Sequence, residues 1–463
     1  MSIIDDAVLT NKDINIRKQK NMSNQFSLMR EQRFKPFFWT QFLGAFNDNV
    51  FKTALITLIA FHAASLTNID GATLATLLPG LFILPFFLFS ATAGQLADKF
   101  EKSQLIRFVK VFEILIMLFA GLGFVMHTLW LLVAALFMMG MHSTLFGPVK
   151  YAYLPQHLNE KELVGGNGMV EMGSFVAILI GQVLGAWLAM REGGEIVTAI
   201  AIIIFAVLGY WVSRGVPNSP AADATLTINW NPVTETVRNI KLIWPQQPIW
   251  LAIVGISWFW FYGATVLAQF PNFAKTTLYG DESVFILLLT VFSLGIGFGS
   301  LMCEKLSRGV VEIGLVPLGA IGLTLFGADL YWSSTTIHEA CSNKCFFDYV
   351  SFLGRSRHWR LLLDISFIGL FGGFYIVPLY ALIQTRCDKA YQSRIIAANN
   401  IMNALFMVIS AAFSILLFKQ GLTIPQLILA TALLNIVVTI YLCIRQPEYI
   451  QRFVLWLKAS FTG

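Results

Sequence analysis

Twelve apolar runs decide what this chain can fold into. They cover approximately 36–62, 74–93, 105–126, 129–150, 167–190, 194–213, 248–270, 283–303, 309–330, 360–384, 394–418 and 424–444. Each is close to the ~20 residues that cross a hydrocarbon layer of about 30 Å. Inside that layer water cannot satisfy the backbone, so runs of this length must be helical. Composition matters here because it rules out the soluble alternative. With 56% hydrophobic and 13% charged residues, against about 25% charged in soluble domains, the chain cannot cover its surface against water. The expected fold is an all-α polytopic membrane protein of twelve transmembrane helices.

Lysine and arginine give the orientation, because loops rich in them stay on the cytoplasmic side. With the N-terminus inside, 23 of the 32 basic residues fall inside and 7 outside, while Lys52 and Lys150 stay within apolar sequence. Both termini are therefore expected in the cytoplasm. Three of the seven outer charges lie in one loop, 331–359, with a fourth, Arg360, at its edge; the loop also holds Cys341, Cys345, His338 and His358. A local disulfide, two unpaired thiols and a metal site are all open for that loop, and a partly buried periplasmic cap is its expected role. The formal charge of +6 reports this orientation and does not point to nucleic acid. Residues 1–35 hold no apolar run and read as a cytoplasmic tail without a secretion signal. Met22 opens MSNQF and marks 1–21 as a dispensable extension.

Two hairpins look alike. Gly147 to Glu171 reads GPVKYAYLPQHLNEKELVGGNGMVE, and Pro378 to Asn403 reads PLYALIQTRCDKAYQSRIIAANNIMN. In each, proline near the end of an apolar run precedes an aromatic-alanine pair, a polar stretch and a new run opening on asparagine. The pattern divides the chain into two pseudo-symmetric six-helix bundles. The domains are then 36–213, a cytoplasmic linker 214–247, 248–444 and a cytoplasmic tail 445–463. Within the linker, VPNSPAADATLT reads as flexible. NPVTETVRNIKLIW reads as a connecting or surface helix with Val233, Val237, Ile240 and Trp244 on one face.

Charges within apolar runs are costly unless they face protein or water, so they are the candidate site residues. The first run holds Asn47, Asp48, Asn49 and Lys52. Asp48 and Lys52 are i,i+4, which suits a helix-stabilising pair. Asp48 on a central cavity, as a cation or proton site or a gate partner, is the other reading. Lys150 and Glu171 either form a latch across the first hairpin, or Lys150 meets an anionic headgroup. Glu113 is a further buried carboxylate without an assigned role. The second half has amides instead, Asn399 and Asn403 among them, with the aromatics Trp258, Trp260 and Tyr262. Gly181 and Gly185 make a small-residue face for close helix contact. After the second run comes GQLADKF. Its Gly94 permits close approach, Asp98 can reach a neighbouring helix N-terminus or a basic partner, and Lys99 anchors the turn. Glu304 and Lys305 occupy the equivalent place in the second half. These five residues are the expected inner gate.

No soluble-enzyme motif fits. Gly295, Gly297 and Gly299 lie inside an apolar run rather than after a strand, and no phosphate-binding loop for ATP occurs. A transporter without cofactor or metal, and not an enzyme, is expected.

The twelve runs in six-plus-six order, with GQLADKF after the second, resemble the major facilitator superfamily. QFLGAFNDN and FGPVKYAYLPQ with NGMVE more closely resemble the bacterial lysophospholipid transporter family. This resemblance implies movement of lysophospholipids from the outer to the inner leaflet of a bacterial inner membrane, with a cytoplasmic lysophospholipid acyltransferase as partner. It also implies site roles for Asp48 and Lys150 and a loop role for Asp98. No acyltransferase domain follows residue 444, the outer loop and the leader are additional, and Lys99 stands where arginine is more usual. A monomer working by alternating access in contact with membrane lipids is expected. The rival is a proton-coupled exporter of an amphipathic small molecule such as a drug or siderophore.

Overall fold

The computed structural model describes residues 25–66, 71–308, 310–336 and 346–461, apart from the side chains of 60–66, 71–73, 75 and 76. Cys341, Cys345, His338 and the 1–21 extension lie outside these residues. Twelve long helices run in order: α1 Lys35–Leu66, α2 Gly71–Lys99, α3 Lys102–Val125, α4 Leu129–His157, α5 Glu160–Ala189, α6 Gly194–Ser213, α7 Gln247–Asn272, α8 Glu282–Ser307, α9 Leu315–Thr335, α10 Ser356–Arg386, α11 Gln392–Lys419 and α12 Ile424–Arg445. Eleven are long and apolar enough to cross a membrane on their described residues. The remaining one, α1, is 32 residues long and carries the polar group Asn47, Asp48, Asn49 and Lys52. The protein is an all-helical multi-pass membrane protein.

Helix pairing repeats with a six-helix offset. The pairs α1–α5, α2–α4, α3–α6 and α3–α4 recur as α7–α11, α8–α10, α9–α12 and α9–α10. The halves meet along α5–α8 and α2–α11, and the same offset relates those two contacts. Glycine makes the closest approaches. A Cβ on Gly181 would stand 2.5 Å from the Phe46 carbonyl oxygen, and one on Gly185 2.4 Å from that of Val50. The small-residue face of α5 therefore packs on α1.

The polar stretch from Gly147 to Glu171 is nearly all helix. α4 continues through Pro148 and Pro155 to His157. α5 begins seven residues before its apolar run, because Asn159 and Glu162 form a capping box. Asn159 Oδ1 accepts from the amides of Lys161 and Glu162, both at 3.1 Å, and the Glu162 carboxylate accepts from the Asn159 amide. Such reciprocal capping satisfies two otherwise orphaned donors.

The linker departs from expectation in one part and follows it in the other. The stretch read as flexible is a strap fixed to the α2–α3 turn. The Lys102 amide donates to the Ser219 carbonyl at 2.9 Å, and the Asp223 amide to that of Asp98 at 2.9 Å. The Ser219 amide donates to Glu101 Oε1 at 2.6 Å, and the Gln95 side chain exchanges two hydrogen bonds with the Asn229 backbone. The linker helix Pro232–Ile243 buries Glu235, Asn239 and Ile243 while Val233, Val237 and Trp244 are exposed. Its outward side thus mixes Val233, Val237 and Trp244 with the charged Arg238 and Lys241, a composition that suits a helix lying in a membrane interface. At the opposite end from Asp98, a bridge between Gly280 and Phe347 ties the segment before α10 to the α7–α8 turn. His358 Nδ1 lies 2.8 Å from the Phe352 carbonyl oxygen.

Replacing Gly185 by valine drives a side chain into α1 backbone and is expected to cost about 1–3 kcal/mol. Thermal unfolding in detergent should show a lowered Tm, whereas Gly263→Ala, with open space around its Cβ, should leave it unchanged or raised. Glu101 supplies a second test. Burial pushes its carboxyl up, but the amides of Ser219, Ser103 and Gln104 and the Ser103 hydroxyl outweigh that and hold it below the usual carboxylate range. A pKa depressed by folding stabilises the strap above the ordinary carboxylate range, and this is lost as pH falls through the depressed value. Hydrogen exchange over 216–223, corrected for intrinsic rate, should be faster in Glu101→Gln at neutral pH. The wild type should approach the variant as pH falls.

Candidate functional site

A cavity of about 450 Å³ lies between the halves. From the first half it is lined by Lys52, Leu55 and Ile56 of α1, Leu78, Pro79, Phe82, Ile83 and Phe86 of α2, Leu136 and Tyr151 of α4, and Ile178 of α5. From the second come Trp260 of α7, Tyr380 of α10, and Asn400, Asn403, Ala404 and Met407 of α11. Its size falls in the usual ligand range of about 300–1,000 Å³. One wall is apolar and largely α2. The facing wall offers amides, an indole and phenols.

Lys52 is the one charged residue in this lining. Its ammonium lies 4.3 Å from the centroid of the Phe82 ring, an attraction between cation and ring quadrupole. The i,i+4 pair with Asp48 is not made. Asp48 Oδ2 instead accepts from the Ser143 hydroxyl at 2.8 Å, and its Oδ1 has no hydrogen-bond partner among the described residues. Asn49 donates to the Ala45 carbonyl at 2.7 Å, so its amide serves the helix backbone rather than the cavity.

The Lys150–Glu171 latch, one of the two readings of that pair, is replaced by two separate contacts. Lys150 Nζ donates to Ser174 Oγ at 3.0 Å, and the Tyr151 hydroxyl donates to Glu171 Oε1 at 2.6 Å. The reason is helical phase. Lys150 and Tyr151 point about 100° apart on α4, and Tyr151 is the one turned toward buried Glu171. Tyr151 also stacks on Tyr380 across the two halves, with ring centroids 4.2 Å apart. These rings, with Asn167 and Gln384 exchanging hydrogen bonds of 2.6 and 3.1 Å, floor the cavity. Asn403 Oδ1 accepts from Ser257 at 2.9 Å and lines the cavity. Asn399 is fully buried and its amide atoms have no partner among the described residues.

Beneath this floor the halves close. A Cβ on Gly94 would stand 2.7 Å from the Ala397 Cβ and 3.0 Å from the Ser393 carbonyl oxygen, so α2 and α11 touch at backbone distance. Asp98 reaches both kinds of partner expected for it. Its Oδ1 accepts from the Ser393 amide near the α11 N-terminus at 3.1 Å, and its Oδ2 from Arg394 Nε at 2.9 Å. The pair is buried, with side-chain exposures of 0% and 4%. Arg394, the first residue of the 394–418 run, is a helical residue and the counter-ion of this joint. Lys99 lies over the Phe100 ring. At the α5–α8 contact Glu304 accepts from the Gln25 amide at 3.0 Å, while the Gln25 side chain donates to the Leu301 carbonyl at 2.9 Å. Lys305 is exposed and stands apart. A segment before α1 thus reaches α8 of the other half, which no helical periodicity announced.

A second polar cluster lies inside the first half. Glu113 of α3 accepts from Lys110 Nζ at 2.6 Å and from Asn47 Nδ2 at 2.9 Å, and His142 Nε2 stands 3.3 Å from it. Lys110 was counted from sequence with an inner loop. In the structure it is a buried helical residue, 1% exposed.

The profile described as Major Facilitator Superfamily matches residues 37–411. The lysophospholipid transporter LplT of Enterobacter sp. (strain 638) is 26% identical over 391 residues, covering 83% of this chain and 88% of the relative. That of Photorhabdus laumondii subsp. laumondii is 23% identical over 411 residues, covering 87% and 93%. Among solved structures, the human organic anion transporter MFSD10 (TETRAN) matches with TM-score 0.69 at 10% identity, covering 88% of this chain and 99% of that one. A bacterial homologue of the iron transporter ferroportin in the outward-facing state matches with TM-score 0.61 at 15% identity, covering 88% and 99%. With its fold matched by these structures and its sequence by that profile, the chain belongs to the Major Facilitator Superfamily.

Proposed function

We propose that this protein is a secondary transporter that moves lysophospholipids from the outer to the inner leaflet of a bacterial inner membrane by alternating access. The observation that carries this reading is the cavity lining: a lone ammonium, Lys52, near the amides of Asn400 and Asn403, opposite an apolar α2 wall. That combination suits an anionic phosphate joined to a single hydrocarbon chain. The relatives named as lysophospholipid transporters support the same cargo. Leu77 and Leu84 of α2 are 60% and 42% exposed, which suits a chain that enters from the bilayer side.

In this reading the Asp98 end faces the cytoplasm and the cavity is loaded from the outer leaflet. The phosphate meets Lys52, and the acyl chain lies along Phe82, Ile83 and Phe86. Release requires the Tyr151–Tyr380 floor and the Asp98–Arg394 joint to part while the halves rock about the site. The cytoplasmic product then suits a lysophospholipid acyltransferase acting as a separate partner. Lys150 serves the floor through Ser174, and Gly94, Asp98 and Glu304 serve the gate.

Reconstituted vesicles with a labelled lysolipid in the outer leaflet test the cargo. Protein-dependent transfer of monoacyl but not diacyl lipid is expected. Uptake of a soluble amphiphile without lipid transfer would overturn the reading in favour of an exporter of small amphipathic molecules.

Lys52→Gln should slow transfer of anionic lysolipid about tenfold or more, since a hydrogen bond to a charged group contributes about 1.5–3 kcal/mol. The measurement is initial transfer rate against the amount of folded protein, and an unchanged rate would remove Lys52 from the site. Asp98→Asn leaves buried Arg394 without its counter-ion, a change costing about 3–5 kcal/mol, and should bias the halves toward parting at this end. Buried Cys387 at the α10 C-terminus reports it. In a background keeping only that cysteine, labelling by a water-soluble maleimide should accelerate at least about tenfold.

A further inference from the structure

Uncharged polar groups at the wall of the cavity are left unmatched in the second half. Trp260 of α7 and Tyr380 of α10 line the cavity, and the Trp260 indole and the Asn399 amide of α11 both approach the Tyr380 hydroxyl. Trp260 Nε1 and both amide atoms of Asn399 are buried without a hydrogen-bond partner among the described residues. Groups of the same types close by are satisfied. Trp258, on the same helix as Trp260, donates Nε1 to Asn435 Oδ1 at 2.7 Å. Asn403, one turn along α11 from Asn399, accepts from Ser257. A helical asparagine can also donate to the carbonyl four residues back, as Asn49 and Asn167 do at 2.7 and 2.8 Å. Asn399 does not take that route. A buried donor or acceptor without a partner has given up its bond to water for nothing. Three such atoms about one cavity-lining hydroxyl form a seat for a partner that comes from outside the chain.

The first half buttresses this seat. Tyr151 of α4 stacks on the Tyr380 ring with centroids 4.2 Å apart. One turn earlier on α4, Gly147 makes room for the amide next to Asn399: a Cβ there would stand 2.5 Å from Asn400 Nδ2. The wall is therefore held in place while the halves are in contact at this level, the arrangement in which cargo loads.

The chemistry of the seat differs from that of Lys52. It holds no charge, so it does not call for a phosphate. It matches a hydroxyl, which donates one hydrogen bond and accepts up to two, whereas an indole N–H donates and a carboxamide does both. A monoacyl glycerophospholipid has one free hydroxyl on its glycerol, between the phosphate and the acyl ester. With the phosphate at Lys52 and the chain along Phe82 and Phe86, that hydroxyl lies where headgroup and chain join, and the wall facing both carries Trp260 and Tyr380.

We propose, on the reading of the cargo as a lysophospholipid, that Trp260, Tyr380 and Asn399 form a subsite that recognises the free glycerol hydroxyl and excludes lipids in which it is esterified. The Asn399 carboxamide accepts the hydroxyl proton, and the Trp260 N–H donates to the hydroxyl oxygen. An ester at that position has no proton to give, so the Asn399 acceptor stays unmatched and a second chain must be housed as well. A site made to hydrogen-bond a hydroxyl rejects a ligand lacking it more sharply than an apolar pocket rejects a difference in size. The α2 wall thus holds a chain, and this subsite counts how many chains there are.

Competition in reconstituted vesicles tests this with the full-length protein. Isotopically distinct lysophosphatidylethanolamine and its 2-deoxy analogue, with hydrogen in place of the glycerol hydroxyl, are placed together in the outer leaflet. Mass spectrometry of the lipid left extractable by albumin gives the ratio of their protein-dependent transfer, which is independent of how much protein is folded. The wild type should prefer the hydroxyl-bearing lipid at least about tenfold. Trp260→Phe, which keeps a ring and removes the N–H, and Asn399→Leu, which keeps the size and removes the amide, should each bring the ratio toward one. Lys52→Gln should slow both lipids and keep the ratio. A wild-type ratio near one overturns the subsite while leaving the cargo reading intact. Transfer of neither lipid by the wild type overturns both. A wild-type ratio kept by Trp260→Phe and Asn399→Leu, or by the one that folds should the other not, also overturns the subsite.

Discussion

The buried ion pair between Asp98 and Arg394 is the contact on which this conformation rests. Two opposite charges are held out of water where α2 and α11 approach at the distance that Gly94 permits. Removing charges from water is costly, and the cost is met only when geometry and further hydrogen bonds are good. Here Asp98 gains the Ser393 amide as well as the guanidinium. Because the joint is expensive to leave half-made, it is either closed or open. A transporter needs a switch of that kind, with two defined arrangements rather than a graded series. The stacked tyrosines and the Asn167–Gln384 pair lie above the joint and join the same two halves.

The fold was legible because its cause is one-dimensional. Apolar length alone specifies membrane helices, and two similar hairpins specify a duplicated plan. GQLADKF was legible for a similar reason: a glycine and an acid one turn apart announce a close crossing with a polar partner. What the sequence could not supply was partnership across space. Lys110 lies inside one apolar run and Arg394 opens another, with no partner in sight along the chain, and only the packing of α1 and α6 around Lys110, and of α2 against α11, reveals them as buried counter-ions. Asp48 and Lys52 have the spacing of a helix pair, yet Ser143 and Phe82 on neighbouring helices take them instead. Lys150 and Glu171 look adjacent across a hairpin, but α4 and α5 run on through it, and helical phase hands Glu171 to Tyr151.

The halves share a plan and differ in chemistry. The first keeps its ionisable groups inside, in a cluster of five charged or titratable side chains running from Lys52 to Lys110. The second meets the cavity with amides, an indole and a phenol. A bundle that carries internal charge must balance it in every state it visits, so that half is the more constrained of the two. The amide-bearing half can contact varied cargo without a change in charge, because asparagine donates and accepts at once.

The strap changes the mechanical meaning of the connection between halves. Counted along the chain, 33 residues from Arg214 to Gln246 join α6 to α7, ample slack for two bodies to drift apart. Much of that length is fastened to the α2–α3 turn through Ser219, Asp223 and Asn229. What remains to follow the second half is chiefly the twelve-residue helix Pro232–Ile243, about 18 Å long at 1.5 Å per residue. The connection is thus a short rigid rod on a fixed pivot. It lets one half tilt against the other and sets a limit on how far the two can separate at that end.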